Sequence, residues 1–340
     1  MKNFRLIWAA LLMITLAFVS CDKGNTEPSL TDAPTAAPTE SETEPATEKN
    51  TEVTTDMPTE IPTEAPTEPA TEAPTEPETA TPDAGMNHGI VRDGTPKKYF
   101  TIRMDDGITQ DARIMEILRK YNMDCCTFYI NTGLLGANWA WVGQSFNRPD
   151  VTHLRYTRAE LSEGIYNGFD VEVHTSTHPS LKNLADKQVT REVKNDAASI
   201  KKMFGYNPIG MAWPGGDTEW NDHNVDTIVE TTDIRYGSCT TSTYNFQLPQ
   251  YFMKWYPTCS ASDGRVMELA REFVEAEPTE DMLFYVWGHG YEFDIFHSWG
   301  NFEALVKLIS EAAAEDDSMI LVTNAEFYQL FKGEIPAWKD

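Results

Sequence analysis

The chain has few cysteines, five in 340 residues, and it contains no Cys-x-x-Cys pair. A zinc site built on thiolates is therefore not expected. The sequence His-Glu-x-x-His is also absent, which argues against a zinc peptidase. Cys125 and Cys126 lie in an apolar strand pattern, where neighbouring side chains point to opposite faces. We predict that they, with Cys239 and Cys259, are buried small apolar residues rather than disulfide partners.

Basic residues are scarce, with 27 Lys and Arg against 53 Asp and Glu and a formal net charge of -26. They form no cluster, which argues against binding to nucleic acid. Roughly half of the net negative charge lies in residues 22–85. The isoelectric point therefore says little about the charge of a folded site.

Residues 22–85 also have almost no aromatic and few large aliphatic side chains, and they carry an irregular Pro-Thr-Glu repeat. Such a segment cannot bury enough apolar surface to offset the conformational entropy lost on ordering. We therefore predict that residues 21–85 are a disordered Thr/Pro/Glu-rich tether. Proline and charge repulsion are expected to keep it extended. An adhesive or signalling stalk is the alternative.

The N-terminal apolar run, residues 6–19, is short for a helix that spans a membrane. Lys2 and Arg5 precede it, as in a secretory signal peptide. The run ends in Phe18-Val19-Ser20-Cys21, which resembles a bacterial lipobox with Phe18 in place of the usual Leu. This resemblance implies a lipoprotein signal peptide over residues 1–20, lipidation of Cys21 and anchoring to the outer face of the cell membrane. An ordinary cleaved signal peptide, which would give a secreted protein, and an uncleaved anchor are the alternatives.

From residue 86 onwards aromatic, glycine and apolar residues occur together, over about 250 residues that suffice for one sizeable core. Strand and helix patterns alternate about seven times, which predicts an α/β fold with a mainly parallel sheet. Their number favours a closed, barrel-like arrangement, in which active sites lie at the carboxyl ends of the strands. The predicted strands are 98–102, 125–130, 171–174, 209–212, 234–238, 282–287 and 319–323, and the predicted helices are 111–121, 157–166, 190–204, 221–231, 265–276, 302–314 and 325–331.

Polar or glycine-rich segments follow several predicted strands. Each alone has an ordinary explanation as a turn, a helix cap or a core histidine. Together, at one end of a sheet, they indicate a site. Two histidines and a carboxylate are a common set of ligands for a divalent metal, and a further carboxylate and histidine can supply a base and an acid. The segments are Asp105-Asp106-Gly107, His174 with His178, Trp213-Pro214-Gly215-Gly216, and the run from His289 to Glu292.

These segments resemble the polysaccharide deacetylase family, also called carbohydrate esterase family 4, over nearly all of residues 98–331. The Asp-Asp-Gly at Asp105 resembles the first motif of the family, and residues 168–179 resemble the second. Residues 189–216 resemble the approach to the third motif. Residues 284–289 resemble the last, in which a strand delivers a histidine.

The resemblance implies that residues 86–340 are a catalytic domain, a distorted barrel of parallel strands with seven or eight β/α units. It implies a metal-dependent hydrolase that removes acetyl groups from N-acetylated, or sometimes O-acetylated, sugars. The implied site residues are Asp106, His174 and His178 as ligands of a divalent metal, usually zinc, Asp105 as general base, His289 as general acid, and the backbone N–H of Gly215 as a donor to the oxyanion.

The chain departs from the family pattern around the base and the acid. Ala212 stands where the third motif often has an arginine that orients the base, and Met104 replaces the usual Phe. Arg103 is near Asp105 in sequence, but the sequence does not show in which direction the arginine side chain points. The fourth motif, an Asp and a Trp that support the acid, is not identified. The candidates are Trp255, Asp263 and Glu292.

Residues 134–156 are predicted to form a long loop rich in Trp and Asn. Trp139, Trp141 and Trp213 are candidates for stacking on sugar rings, with ordinary packing as the alternative. Glu292 is also a candidate substrate contact. The remaining histidines, His153, His223 and His297, are expected to be structural or on the surface.

The sequence therefore predicts an exported, lipid-anchored bacterial deacetylase whose substrate is a glycan with N-acetyl sugars. Its partners are that glycan and the membrane. An O-acetyl esterase that acts on a xylan-like polymer is one alternative. A glycan-binding lipoprotein without catalytic activity is another, because the usual arginine and the fourth motif are not evident.

Overall fold

The structure is a computed structural model that describes residues 89–339. The predicted signal peptide, Cys21 and the predicted tether lie outside the described residues. Among residues 89–339, none of the helices combines the length and the apolar character that crossing a bilayer requires.

Eight strands form one parallel sheet in the described part of the chain. The strands are β1 (Lys98–Asp106), β2 (Cys126–Ile130), β3 (Asp170–Val173), β4 (Gly210–Ala212), β5 (Tyr236–Ser238), β6 (Cys259–Ser260), β7 (Met282–Gly288) and β8 (Met319–Leu321). Their order is β5-β4-β3-β2-β1-β7-β6, and β8 pairs with the first residues of β1. In the centre of the sheet, Ile102 of β1 pairs with Cys126 on one side and with Val286 on the other.

The segment that leads into β6 bridges the two ends of this order. Trp255 donates its backbone N–H to Gly237 of β5 at 3.0 Å and accepts one from Cys239 at 2.9 Å. Three residues later, Thr258 donates its backbone N–H to Tyr285 of β7 at 2.8 Å. The sheet thus curls into a barrel, distorted because irregular chain replaces a full strand here. The predicted fold class is confirmed.

Nine helices surround the described sheet: α1 (Asp111–Lys120), α2 (Trp141–Ser145), α3 (Arg158–Ser162), α4 (Asp186–Phe204), α5 (Asp222–Thr231), α6 (Val266–Glu275), α7 (Gly290–Ile295), α8 (Trp299–Glu315) and α9 (Asn324–Phe331). Seven correspond to predicted helices with shifted boundaries, whereas α2 and α7 were not predicted. At the start of α3, Thr157 accepts the N–H of Glu160, whose carboxylate accepts the N–H of Thr157. This is the capping box that the Thr and Glu spacing indicates.

Alternation along β1 separates two environments. Phe100, Ile102 and Met104 belong to the large buried cluster that also contains apolar residues of the surrounding helices. The intervening Arg103 and Asp105 are 0% and 2% exposed and share the opposite face of the strand. The cysteines of the described chain are all buried and free, as predicted: Cys125, Cys126, Cys239 and Cys259.

Candidate active site

Segments that follow the strands enclose a cleft of about 460 Å³ at the carboxyl end of the sheet. Because parallel strands end at the same edge, residues far apart in sequence meet there. All the predicted site residues of the described chain line this cleft: Asp105, Asp106, Trp139, Trp141, His174, His178, Trp213, Gly215, His289 and Glu292.

Asp106, His174 and His178 form a cluster whose ligand atoms all lie within 4.8 Å of one another. The Nε2 atoms of His174 and His178 are 3.7 Å and 3.8 Å from Oδ1 of Asp106. Burial lowers the pKa of both histidines to about 4. Both rings are therefore neutral at pH 7, which is the form that binds metals.

The surroundings of His174 fit a metal ligand. Its Nδ1 lies 2.9 Å from the carbonyl oxygen of Ala212, which can only accept, so Nδ1 carries the proton. Nε2 is then an acceptor, and it is buried without a hydrogen-bond partner among residues 89–339. A buried acceptor of this kind is costly unless a cation or a donor satisfies it. A metal-binding histidine usually donates a hydrogen bond from its other ring nitrogen, and a backbone carbonyl is a common acceptor.

The backbone is strained at this cluster. Asp106, Thr175 and His178 have φ values of 82°, 62° and 54°, in the left-handed region that residues other than glycine rarely adopt. Such strain tends to collect at functional sites. Here it occurs at the last residue of β1 and in the turn that follows β3.

Asp105 is held by Arg103. Nη2 of Arg103 donates to Oδ2 of Asp105 at 2.7 Å, and Nη1 donates to the carbonyl of Cys239 at 2.9 Å. Burial raises the pKa of Asp105, although the charge of Arg103 opposes the rise. Arg103 of β1 thus makes the contact to Asp105 that the resemblance implies for an arginine at the position of Ala212.

Glu292 holds His289. Oε1 of Glu292 is 2.9 Å from Nδ1 of His289, and Oε2 accepts a hydrogen bond from Ser262 at 2.7 Å. Burial alone would lower the pKa of His289, but the hydrogen bond and the charge of Glu292 outweigh it and raise the pKa to about 9. Glu292, a candidate substrate contact, therefore supports the histidine. The other two candidates for the support of His289 have different surroundings. Trp255 is buried in the barrel, and Asp263 accepts a hydrogen bond from Tyr244.

Sequence reasoning missed His153 and Arg155 as part of the site. His153 is 1% exposed, and its Nε2 lies 2.8 Å from Oδ2 of Asp106. Arg155 donates to Oδ1 of the same carboxylate at 2.9 Å. Burial opposes ionisation of Asp106, but the His153 hydrogen bond and the nearby positive charges hold its pKa well below the usual value. Both residues lie in a predicted loop, where no periodic pattern shows which side chains turn inward.

The expectation for the other two histidines agrees with the structure. His223 is exposed and pairs with Asp186 at 2.8 Å. His297 lies beside Arg148, with 3.1 Å between its Nε2 and Nη1 of the arginine.

The three candidate tryptophans have different environments. Trp213 is 1% exposed and stacks on Trp220 at 4.4 Å, so it forms a wall of the cleft and has no free ring face for a sugar. Trp139 is half-buried, with the guanidinium of Arg155 3.9 Å from the centre of its ring. Trp141 is 59% exposed at the rim of the cleft. Trp141 is therefore the one of the three best placed to stack on a glycan.

Gly215 follows β4 with a φ of 73° and lines the cleft. Glycine tolerates this conformation without strain. A Cβ at this position would lie 3.0 Å from Cγ of Glu219. The main chain therefore borders the cleft without an intervening side chain, as a backbone donor requires.

A family model described as polysaccharide deacetylase matches residues 92–237. This part of the chain belongs to the polysaccharide deacetylase family. The match includes β1 to β4, the first two residues of β5 and the residues Asp105, Asp106, His174, His178 and Gly215, and it ends before His289. The recognition made from the sequence motifs is confirmed. No curated protein matches the chain.

Several solved structures of deacetylases are similar to parts of this chain. The Streptococcus pyogenes deacetylase PplD in complex with acetate is 22% identical with a TM-score of 0.33, covering 42% of this chain and 56% of that chain. A polysaccharide deacetylase from Bacillus cereus is 19% identical with a TM-score of 0.35, covering 46% and 45%. A family 4 acetyl xylan esterase from Clostridium thermocellum in complex with a cobalt ion is 17% identical with a TM-score of 0.42, covering 70% and 94%.

The chain thus spans only 56% and 45% of the lengths of the first two of these proteins. Identities and TM-scores in this range do not transfer a substrate or an activity. The substrate and the activity of this chain therefore depend on the side chains of its own site.

Proposed function

We propose that the protein is a metal-dependent hydrolase that removes acetyl groups from the N-acetylated sugars of a polysaccharide. One observation carries the proposal. A buried Asp105–Arg103 pair and a His289–Glu292 pair line the same cleft as the cluster of Asp106, His174 and His178. A base, an acid and a set of metal ligands are what hydrolysis of an amide needs.

Asp106, His174 and His178 would hold the metal, and zinc is the ion expected for this donor set. When bound there, a divalent ion polarises the acetyl carbonyl and lowers the pKa of bound water from 15.7 toward about 7. The unpaired Nε2 of His174 supports this assignment.

Asp105 is suited to take a proton from the attacking water. Arg103 holds Oδ2, whereas Oδ1 is buried and has no hydrogen-bond partner among residues 89–339. One oxygen is therefore fixed and the other is available to accept. The raised pKa of Asp105 makes the carboxylate a stronger base than in water.

His289 is suited to protonate the leaving nitrogen. Glu292 accepts a hydrogen bond from the Nδ1–H of His289. The Nε2 of His289 points toward Asp106, and it lies 3.8 Å from Oδ2 of that carboxylate. With a pKa near 9, the ring is protonated at pH 7. Loss of an amine requires that proton, because an amine anion is a prohibitively poor leaving group. The N–H of Gly215 would donate to the acetyl oxygen, where negative charge develops.

An O-acetyl esterase is the alternative within the same chemistry. An ester leaving group depends less on an acid, so the charged His289–Glu292 pair favours the amide substrate. The alternative of a non-catalytic binder is less well supported, because Arg103 contacts Asp105 and Glu292 contacts His289, two contacts that the sequence left open.

The experiment uses the chain without residues 1–20, loaded with zinc or cobalt. Acetate release is measured on chitooligosaccharides, peptidoglycan fragments and acetylated xylan. We expect release from an N-acetylated substrate and none from the Asp105→Asn variant. No release from any of the three substrates would overturn the proposal, and release from xylan alone would favour the esterase.

We also propose that the protein is exported and anchored to the outer face of the bacterial membrane through Cys21, with residues 21–85 as the tether. The support is the sequence of residues 1–85 alone. Metabolic labelling with a fatty-acid analogue should label the wild type and not Cys21→Ala. Equal labelling of the two would refute the anchor.

A further inference from the structure

The carboxylate of Asp106 has partners on both oxygens. Oδ1 faces Nε2 of His174 and of His178 and also accepts from Arg155 at 2.9 Å. Oδ2 lies 2.8 Å from Nε2 of His153. His153 therefore contacts the oxygen that the two histidines do not face.

The proton positions on His153 follow from its two neighbours. A carboxylate oxygen only accepts, so Nε2 must carry the proton that it donates to Asp106. Nη1 of Arg155 lies 3.5 Å from Nδ1 of His153. An arginine only donates, so the unprotonated Nδ1 is the side that faces it. Neutral His153 in this one tautomer satisfies both contacts.

The ring of His153 is fixed in place by packing. Trp139 stacks on it with an interplanar angle of 15° and 5.5 Å between ring centres. Trp139 also donates its backbone N–H to the carbonyl of His153 at 2.9 Å. On another side, Tyr291 lies 5.2 Å from the imidazole. A side chain that is 1% exposed and held by two aromatic rings has little freedom to turn away from Asp106.

We propose that His153 is a positioning residue that orients Asp106 for a divalent first-row metal held with His174 and His178. The inference rests on the proposed metal site. By holding Oδ2, His153 fixes the rotation of the carboxylate, so that Oδ1 stays directed at the two histidines. Residues that hydrogen-bond to a metal ligand without binding the metal themselves typically contribute about 10–100-fold to metal affinity.

His153 and Arg155 differ in one respect. The imidazole holds the carboxylate as a neutral donor, so it adds no charge that would repel a dication. The guanidinium adds a positive charge beside the same carboxylate, and this charge opposes a metal. Removal of His153 should therefore weaken metal binding more than removal of Arg155 does.

The experiment measures zinc and cobalt affinity by chelator competition on the chain without residues 1–20. We expect a dissociation constant about 10–100-fold higher for His153→Ala. His153→Gln retains an N–H donor and should recover part of the loss. Exposed His223 provides the matched control, and His223→Ala should bind metal as the wild type does. The visible absorption of bound cobalt should change in His153→Ala and not in the control.

Two results would overturn the inference. A folded His153→Ala variant with unchanged metal affinity would mean that His153 only packs. A loss as large as that of His174→Ala, without recovery in His153→Gln, would make His153 a direct ligand instead. Should the alanine variant not fold, His153→Leu is the donor-free comparison.

The inference and the proposed function fail in different ways. Wild-type protein that binds neither zinc nor cobalt would refute the metal site and the inference with it. Metal affinity that depends on His153, in a protein that releases no acetate, would refute the proposed activity and leave the inference standing.

Discussion

Arg103 and Asp105 lie two residues apart on one face of β1, and the guanidinium donates to the carboxylate at 2.7 Å. Alternation along the observed strand, which extends to Asp106, places both side chains on the same side. The family often supplies this arginine from the position of Ala212. The backbone carbonyl of Ala212 contacts His174, a bond that does not depend on the side chain at this position.

Loss of the Arg103 charge should move the acid limb of the pH–rate profile to higher pH. The base acts as a carboxylate, and removal of a neighbouring positive charge raises the pKa of Asp105 further, by roughly 1–3 pH units. Arg103→Met should show this shift and Arg103→Lys a smaller one. Arg113→Met, on the exposed face of α1, is the control. An unmoved acid limb in Arg103→Met would argue against Asp105 as the base.

Glu292→Gln should move the basic limb of the same profile to lower pH. The acid must be protonated to act, and Glu292 raises the pKa of His289 to about 9 through a hydrogen bond and its charge. Glutamine can still accept a hydrogen bond from the Nδ1–H of His289 but lacks the negative charge of Glu292. The exposed Glu311, changed to Gln, serves as the control. A basic limb that stays in place would mean that His289 is not the acid.

His289→Ala should distinguish amide from ester chemistry. A general acid typically contributes about 10²–10⁴-fold to the rate. We expect kcat to fall by that factor on an N-acetyl sugar and by much less on an activated O-acetyl ester. Both rates are measured on the same metal-loaded preparation. Equal losses on the two substrates would count against a role in protonating the leaving nitrogen.

Removal of the metal ligands should abolish metal binding and activity together. His174→Ala and His178→Ala should each lower metal affinity by more than the roughly 10–100-fold that is typical when a residue hydrogen-bonded to a ligand is removed. Because burial lowers the pKa of both rings to about 4, protons compete with the metal only as the pH falls toward that value. Elemental analysis and chelator competition at pH 7, 5 and 4 test this. Full metal occupancy in His174→Ala would show that the ligand assignment is wrong.

Trp213 and Trp141 should respond differently to replacement by alanine. Trp213 is 1% exposed, so Trp213→Ala should lower the free energy of unfolding by about 3–5 kcal/mol. Trp141 is 59% exposed at the rim. Trp141→Ala should leave the unfolding free energy nearly unchanged and raise KM for a polymer more than for a single sugar. Denaturant titrations and steady-state kinetics separate the two, and an unchanged KM would remove Trp141 from the glycan site.

Much of the fold was predictable because its elements are long enough to show a period. The β1 and β7 strands and the α4 and α8 helices all appear as apolar patterns. In contrast, α2, α7 and β6 have 5, 6 and 2 residues. Segments this short do not establish a period of 3.6 or of 2, so the sequence reveals them only where another signal is present, as the capping box is for the five-residue α3.

The sequence by itself determined the α/β order and the family, and through them which residues reach the carboxyl ends of the strands. Asp105 and Asp106 end β1, and His174 and His289 directly follow β3 and β7, so the chain direction alone carries them to the cleft. The tertiary structure decided which side chains support them. The contact between Glu292 and His289 depends on how α7 packs. The contacts of His153 and Arg155 with Asp106 depend on how the segment around Trp139 packs. Such packing arises from contacts between distant parts of the chain, which no local pattern encodes.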